Sequence, residues 1–357
     1  MPIARASHNR AADAGDPALD GAWRWLEGAA VLPTQTRSFH NALAATFLVG
    51  TPVAMFMARQ GETAEALLPL VHSPGLLARW RLAGAREVYE PGDALLASPG
   101  AADSLARELA QQSRPIVLDR IPADSPLIPA LRQAMRGRGL CVVRQAEACP
   151  TIALDATWSD PATRFNAGRR SDFRRALRKA EECGAVSFEV SCPALSDFDE
   201  RFDEAIAVEI SSWKRAAGTA IASDPAKEAF FRTYLRSECE SGALRIAFMR
   251  IDGRPVAMQL GVVLGGRFWL YKIGYDEAYR KCSPGTLLML HCIGEAARTG
   301  LNAFELLGNA EPWIAELWTE TAMPCLSLRT YPVSLAGAAA LATDGLAWLR
   351  QRLKGRG

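Results

Sequence analysis

Residues 267–300, RFWLYKIGYDEAYRKCSPGTLLMLHCIGEAARTG, hold the side chains best spaced for chemistry: a strand pattern, an irregular turn and a helix pattern joined at Ser283-Pro284-Gly285-Thr286. Proline sets φ for a first helical turn and glycine lets backbone approach a ligand, so N–H groups at the helix start can face an anion. A phosphate-bearing cofactor is the natural candidate. Cys282, beside that corner, is the thiol best placed to act as a nucleophile, but no histidine adjoins it in sequence to activate it. A second candidate is the loop around Glu209, Trp213, Lys214, Gly218 and Thr219. Its polar-aromatic make-up suits the floor of a substrate pocket, against the plainer reading of Trp213 as a core anchor. The third is the basic run at 166–183, where Arg169, Arg170, Arg174, Arg175, Arg178 and Lys179 surround an apolar stripe of Phe173, Ala176, Leu177 and Ala180. The stripe predicts a helix with Ser171 as N-cap and Gly184 as stop. Its cations make either a solvated outer face or a rim for nucleotide or RNA phosphates.

These candidates need elements to hold them. Three antiparallel strands are predicted over 244–250, 255–264 and 267–275, because Asp252-Gly253 and Gly265-Gly266 between apolar runs are strong hairpin signals. A helix over 285–299, a strand over 302–307 and a short helix over 312–319 follow, and 325–330 is expected to close this sheet. Before them come a strand at 186–190 and helices at 195–212 and 224–241. In the first half, apolar runs at 45–50, 52–61 and 64–71 read as a meander. Helices follow at 102–111 and 125–136, with strands at 114–118 and 139–143. The proline-bearing stretch from Cys149 to Pro161 reads as the connection between halves. His40 and His72 read as isolated loop or surface histidines, and Arg79, Arg81 and Arg86 as a solvated face. The fold class is mixed α/β.

A chain of 357 residues is too long for one ordinary core and suits two domains. Net charge +2 names no polyanionic partner, which argues against a dedicated nucleic-acid binder. The 8 cysteines form no C-x-x-C pair, so neither zinc nor a redox motif is indicated, and buried free thiols are expected. The N-terminus has no apolar core of a secretory signal, and a reducing cytoplasm is the expected setting.

Three strands, a helix able to seat a pyrophosphate, then a further strand is the order of the GNAT acyltransferases. The SSWKRAAGTAI loop, the YDEAYRKCSPGTLLML corner, the FELLGNAEPWIAELW segment and Ala66-Leu-Leu-Pro-Leu70 more narrowly resemble the CelD-like, cellulose-biosynthesis-associated branch, which is similar to the FemAB aminoacyltransferases. The resemblance implies tandem GNAT-like domains, each a mostly antiparallel sheet flanked by helices: an arm over 1–20, a degenerate domain over 21–155, an acyltransferase domain over 156–332, and a helix and basic tail over 333–357. It also implies acetyl-CoA or another acyl-CoA as donor, with no metal, between the Tyr271 and Glu305 strands. Its contacts would come from Ile273, Gly274, Arg280, Lys281, Cys282, Ser283, Pro284, Gly285, Thr286 and Leu287. The chain departs from the usual GNAT loop, having one glycine in Arg280-Lys-Cys-Ser-Pro-Gly285 where that loop has two. It also has Trp313-Ile314 where relatives place a Tyr-Lys pair.

Direct acyl transfer from a thioester needs a base, an acid and oxyanion donors. On the resemblance these roles fall to Asp276 or Glu305 as base, Tyr271 or Tyr275 as acid, and the backbone of 273–275 as oxyanion donor. Glu209, Trp213, Lys214, Gly218 and Thr219 would meet the acceptor, in exopolysaccharide or cell-envelope work. The alternatives are an aminoacyl-tRNA-dependent transferase, in which the basic helix would meet RNA, and an inactive scaffold. The Ala/Leu-rich C-terminus, ending in Trp348-Leu349 with Arg350, Arg352, Lys354 and Arg356, is expected to dock as a helix. Peripheral contact with an anionic membrane is its alternative reading.

Overall fold

The computed structural model describes residues 17–72, 75, 77–212, 221–308 and 311–354. Within them the chain divides into two compact units, one formed by 17–40, 48–148 and 323–354, the other by 41–47 and 149–322. The candidate-site residues Trp213, Lys214, Gly218 and Thr219 lie outside the described residues, as do 1–16 of the expected arm. A helix begins at Pro17, inside the stretch expected as the arm.

In the first unit the elements are α1 (Pro17–Glu27), the start of α2 (Arg37–Ala45), β1 (Val53–Gln60), β2 (Thr63–His72), β3 (Trp80–Leu82), β4 (Leu95–Leu96), α3 (Ala101–Ala110), β5 (Ile116–Pro122), α4 (Leu127–Ala134) and β6 (Gly139–Gln145). The apolar run at 45–50 is not a strand; it finishes α2, whose Phe39, Ala42 and Leu43 are buried at helical spacing, and then turns. Leu105 and Leu109 of α3 and Leu127 and Leu131 of α4 pack on Leu68, Leu70, Ile116 and Leu118 of the sheet. The sheet order is β1-β2-β3-β5-β14-β6, with β4 on β2, where β14 is Cys325–Pro332. This corrects the expectation that 325–330 closes the second sheet. The strand pairs antiparallel with both β5 and β6, because Leu328 and Thr330 find their buried places in the first unit. His40 is also not a surface residue: it packs on Trp23 at 5.0 Å and meets the Thr34 carbonyl at 2.9 Å, and burial lowers its pKa to about 4. Nor is Arg79 solvated. Its guanidinium makes two bonds, 2.8 and 2.7 Å, to Asp344 in the C-terminal helix α10 (Leu335–Lys354).

The second unit holds β7 (Cys149–Ala153), α5 (Ala167–Glu181), β8 (Val186–Ser191), α6 (Phe198–Ile210), α7 (Pro225–Glu240), β9 (Leu244–Ile251), β10 (Arg254–Leu264), β11 (Arg267–Tyr275), α8 (Pro284–Arg298), β12 (Ala303–Glu305), α9 (Pro312–Leu317) and β13 (Ala322–Met323). Its sheet order is β13-β7-β12-β11-β10-β9-β8. The stretch expected to connect the halves thus contributes β7, which pairs antiparallel with β12 despite Pro150. Both predicted hairpins form, with positive φ at Asp252, Gly253, Gly265 and Gly266 as two-residue turns of this hand require. α5 starts one turn earlier than the Ser171 expectation, since the Asn166 side chain accepts from Arg169 N at 2.9 Å. α8 lies on one face of the sheet, where Leu288, Cys292 and Ile293 meet Ala247, Phe268 and Phe304. On the other face Phe231 and Tyr234 of α7 meet Tyr271.

Candidate functional site

A parallel pairing in this second sheet positions the site. β12 follows β11 for three pairs, Arg267 with Ala303, Phe268 with Phe304 and Trp269 with Glu305. Beyond Glu305 the chain turns away through Leu307 and Gly308, both at positive φ, while β11 runs on to Tyr275 beside β10 alone. The two strands therefore splay. Into the gap open Gln259 and Ile273, directly opposite each other on β10 and β11, with Tyr275, the α8 residues Gly285, Thr286 and Met289, and Trp313, Leu317 and Trp318 around α9. The cavity is about 540 Å³, within the range of small-molecule sites.

A bulge decides which side chains of β11 reach this slot. The register slips between Leu260, opposite Lys272, and Gly261, opposite Leu270, leaving Tyr271 as an extra residue. Tyr271 and Lys272 then both face α7: the Tyr271 ring stands 5.6 Å from that of Tyr234, and Lys272 Nζ sits 4.8 Å from the centre of Phe231. Ile273 and Tyr275 return to the α8 side. Gly274 lies between, against α6. A Cβ there would stand 3.0 Å from Cα of Glu209, so glycine permits helix and strand to close up. Glu209 is buried behind β11, its Oε2 accepting from Ile221 N at 2.8 Å.

The corner itself is built from a 3-10 helix, Glu277–Cys282, capped by Asp276, whose Oδ1 accepts from Ala278 N at 2.9 Å. The other oxygen of Asp276 meets Arg254 at 2.7 Å, so this expected base is buried, capping and ion-paired, and does not line the slot. Glu305, the other expected base, is fully buried and bound to Arg267 at 2.5 Å. Tyr271 is turned to the opposite face. Of the four expected catalytic side chains the structure brings Tyr275 alone to the slot wall. Burial raises its phenol pKa and the Glu277 charge adds to this, with Arg280 opposing, so the group is protonated at neutral pH.

Among the expected cofactor contacts, Ile273, Gly274, Gly285 and Thr286 line the slot, while Arg280 and Lys281 are exposed on the 3-10 helix whose Glu277 lines it, with no acidic partner among the described residues. The cradle of N–H groups is smaller than expected. Ser283, at φ 47°, carries a carbonyl that already accepts from Thr286 N and Leu287 N, and Pro284 has no N–H to offer. Pro284 and Leu287 are buried. Cys282 is buried too, its sulfur 3.9 Å from that of Cys183 and its pKa raised first by burial, which suits no nucleophile. Cys183 is exposed, contrary to the expectation for the thiols.

Sequence reasoning missed Gln259, Glu277, Met289, Glu311, Leu317 and Trp318, all on the slot. Gln259 had a signal, as the one amide in the apolar run of β10. Its side chain is 1% exposed, with Nε2 3.6 Å from Met289 Sδ and Oε1 without a partner among the described residues. Glu311 accepts the indole N–H of Trp313.

Residues 167–313 match the model of the acetyltransferase (GNAT) domain. Across solved structures, the C-terminal domain of a putative lysylphosphatidylglycerol synthetase from Agrobacterium fabrum is similar at TM-score 0.56 and 14% identity, over 93% of this chain and 96% of that one. FemX is similar at TM-score 0.56 and 11% identity, over 92% of this chain and 97% of that one. At such identities these likenesses show the fold. No curated protein sequence matches the chain.

Proposed function

We propose that the second unit, of which residues 167–313 match the GNAT domain model, transfers an acyl group, acetyl in the simplest case, from acyl-CoA to an amine or hydroxyl acceptor. The observation that carries this is the splay of β11 from β12. It opens an apolar channel leading to Gly285 and Thr286 at the start of α8, next to the 3-10 helix that carries Arg280 and Lys281. Ile273, Met289, Leu317 and Trp318 suit the apolar length of a pantetheine arm, and the two cations suit a pyrophosphate. An acyl-CoA supplies the activated thioester carbon. Tyr275 holds the proton that a departing thiolate needs, and a backbone N–H at Gly274 or Tyr275 faces the developing oxyanion. Glu277 or Glu311, the carboxylates on the slot, takes the acceptor's proton directly or through water. Asp276 and Glu305 hold the corner and the strand pair in place. The CelD-like resemblance supports an acceptor in exopolysaccharide or cell-envelope metabolism.

A second reading, an aminoacyl-tRNA donor, is favoured by one observation: Arg169, Arg174 and Arg178 are exposed on α5 with no acidic partner among the described residues. Calorimetry separates the two. A Cβ at Gly285 would stand 3.4 Å from the Tyr275 ring, an ordinary contact, so Gly285→Trp keeps the backbone and extends into the channel. Acetyl-CoA should bind wild type, and Gly285→Trp should weaken it by about 10-fold or more at unchanged circular dichroism. No heat with any CoA thioester overturns the first reading, and salt-sensitive aminoacyl-tRNA binding instead establishes the second.

A further inference from the structure

The C-terminal helix α10 is mounted with its apolar side outward. Ser334 caps it, accepting from Gly337 N at 3.0 Å, and the residues turned to the first unit are Gly337, Ala340 and Asp344. Asp344 is held there by Arg79, by Tyr331 at 2.6 Å and by Arg329 at 3.2 Å. Leu335, Ala338, Ala342, Leu346 and Leu349, spaced by three and four, form the opposite stripe, and every one is exposed: Leu335 at 89%, Leu346 at 58%, Leu349 at 51%. A helix docked only for stability turns such a stripe to the core. The stripe continues onto Val333, 86% exposed, and Leu140 on the edge strand β6, 53% exposed, which line one groove with Ala338.

Both ends of this apolar surface are basic. Val333 N donates to the carbonyl of Arg138, which places exposed Arg138 at one end. Arg350 and Arg352 are exposed at the other, Arg352 lying 4.3 Å over the Trp348 ring. The single carboxylate of α10, Asp344, is turned inward. A second copy meeting this face about a two-fold axis would set cations against cations whether the helices ran parallel or antiparallel, which disfavours self-association. Among the described residues no helix is long and apolar enough to cross a membrane.

We infer that the first unit docks on an anionic lipid bilayer through α10, which lies in the interface with Leu335, Leu346 and Leu349 among the acyl chains and Arg138, Arg350 and Arg352 on lipid phosphates. This surface is independent of the acyl-transfer slot. The test is co-sedimentation of the full chain with phosphatidylcholine vesicles, with and without about a third phosphatidylglycerol, at low and high salt. Partition onto the anionic vesicles should be about 10-fold stronger or more and fall with salt. Leu346→Ser with Leu349→Ser, both exposed, should cut it by roughly 30-fold or more while thermal unfolding stays unchanged. Equal partition onto both vesicle types overturns the inference, as does unaltered binding by the double variant. So does a concentration-dependent dimer, seen by light scattering and lost in the double variant, which would assign the stripe to a second copy.

Discussion

Replacing Asp344 by alanine removes the carboxylate that ties the last helix to the first unit. It accepts from Arg79 at 2.7 and 2.8 Å, from Tyr331 at 2.6 Å and from Arg329 at 3.2 Å. The side chains of Arg79 and Asp344 are 11% and 16% exposed, nearer the buried than the surface limit. Removing one member of a buried pair costs about 3–5 kcal/mol and of an exposed pair about 0–1, so a loss of about 3 kcal/mol is expected. Asparagine, keeping an acceptor but no charge, should lose about half as much. With a urea dependence of about 3 kcal/mol per molar for a unit this large, the midpoint should fall by about 1 M. The pH dependence has a definite sign. Burial alone would raise the Asp344 pKa, but the hydrogen bonds from Arg79 and Tyr331 and the charges of Arg79 and Arg329 outweigh it and hold the group well below the usual carboxylate range. A depressed folded pKa gives stability that is fully present above the unfolded value, about 3.9, and lost as pH falls through the folded one. The gap between wild type and Asp344→Ala should therefore be constant from about pH 5 to 8 and shrink only below about pH 4. Urea titrations read by circular dichroism measure it. A gap under about 0.5 kcal/mol, or one that closes between pH 7 and 5, would refute the reasoning.

Arg267→Ala strands the Glu305 carboxylate, which is 0% exposed, and should destabilise the second unit by about 3 kcal/mol or more, with Glu305→Gln added in the same chain recovering part of it; equal stability of single and double variants would count against the pairing. Tyr275→Phe should lower kcat for acetyl transfer by about 10- to 100-fold with the acetyl-CoA Kd changed little, and a loss in Kd alone would make the tyrosine a wall of the slot instead of its acid.

The second sheet was readable because its signals are local. Asp252-Gly253 and Gly265-Gly266 fix two hairpins from adjacent residues, and Pro284 marks the start of α8. What escaped depends on distant partners. Arg79 and Asp344 are 265 residues apart, so an arginine that looks solvated in sequence is a buried anchor in the fold. Cys325–Pro332 has the pattern of any half-buried strand, and nothing in it names the sheet that takes it. The bulge at Tyr271 is subtler: one extra residue swaps faces, sending that tyrosine to α7 and Tyr275 to the slot, while sequence alternation treats both alike. Asp276 and Glu305 were legible as carboxylates near the site, but their arginine partners come from other strands.

β14 comes near the end of the 357-residue chain yet sits between β5 and β6, in the interior of the first sheet. During synthesis β5 and β6 emerge early and wait for the strand that separates them. At roughly 5–20 residues per second the wait lasts on the order of ten seconds or more, with two strand edges open to wrong pairing. The second unit, nearly continuous in sequence, has no such dependence and is free to fold while the first is still incomplete. A chain that stops short of Cys325 would thus carry a folded second unit while the first sheet still lacks the strand between β5 and β6.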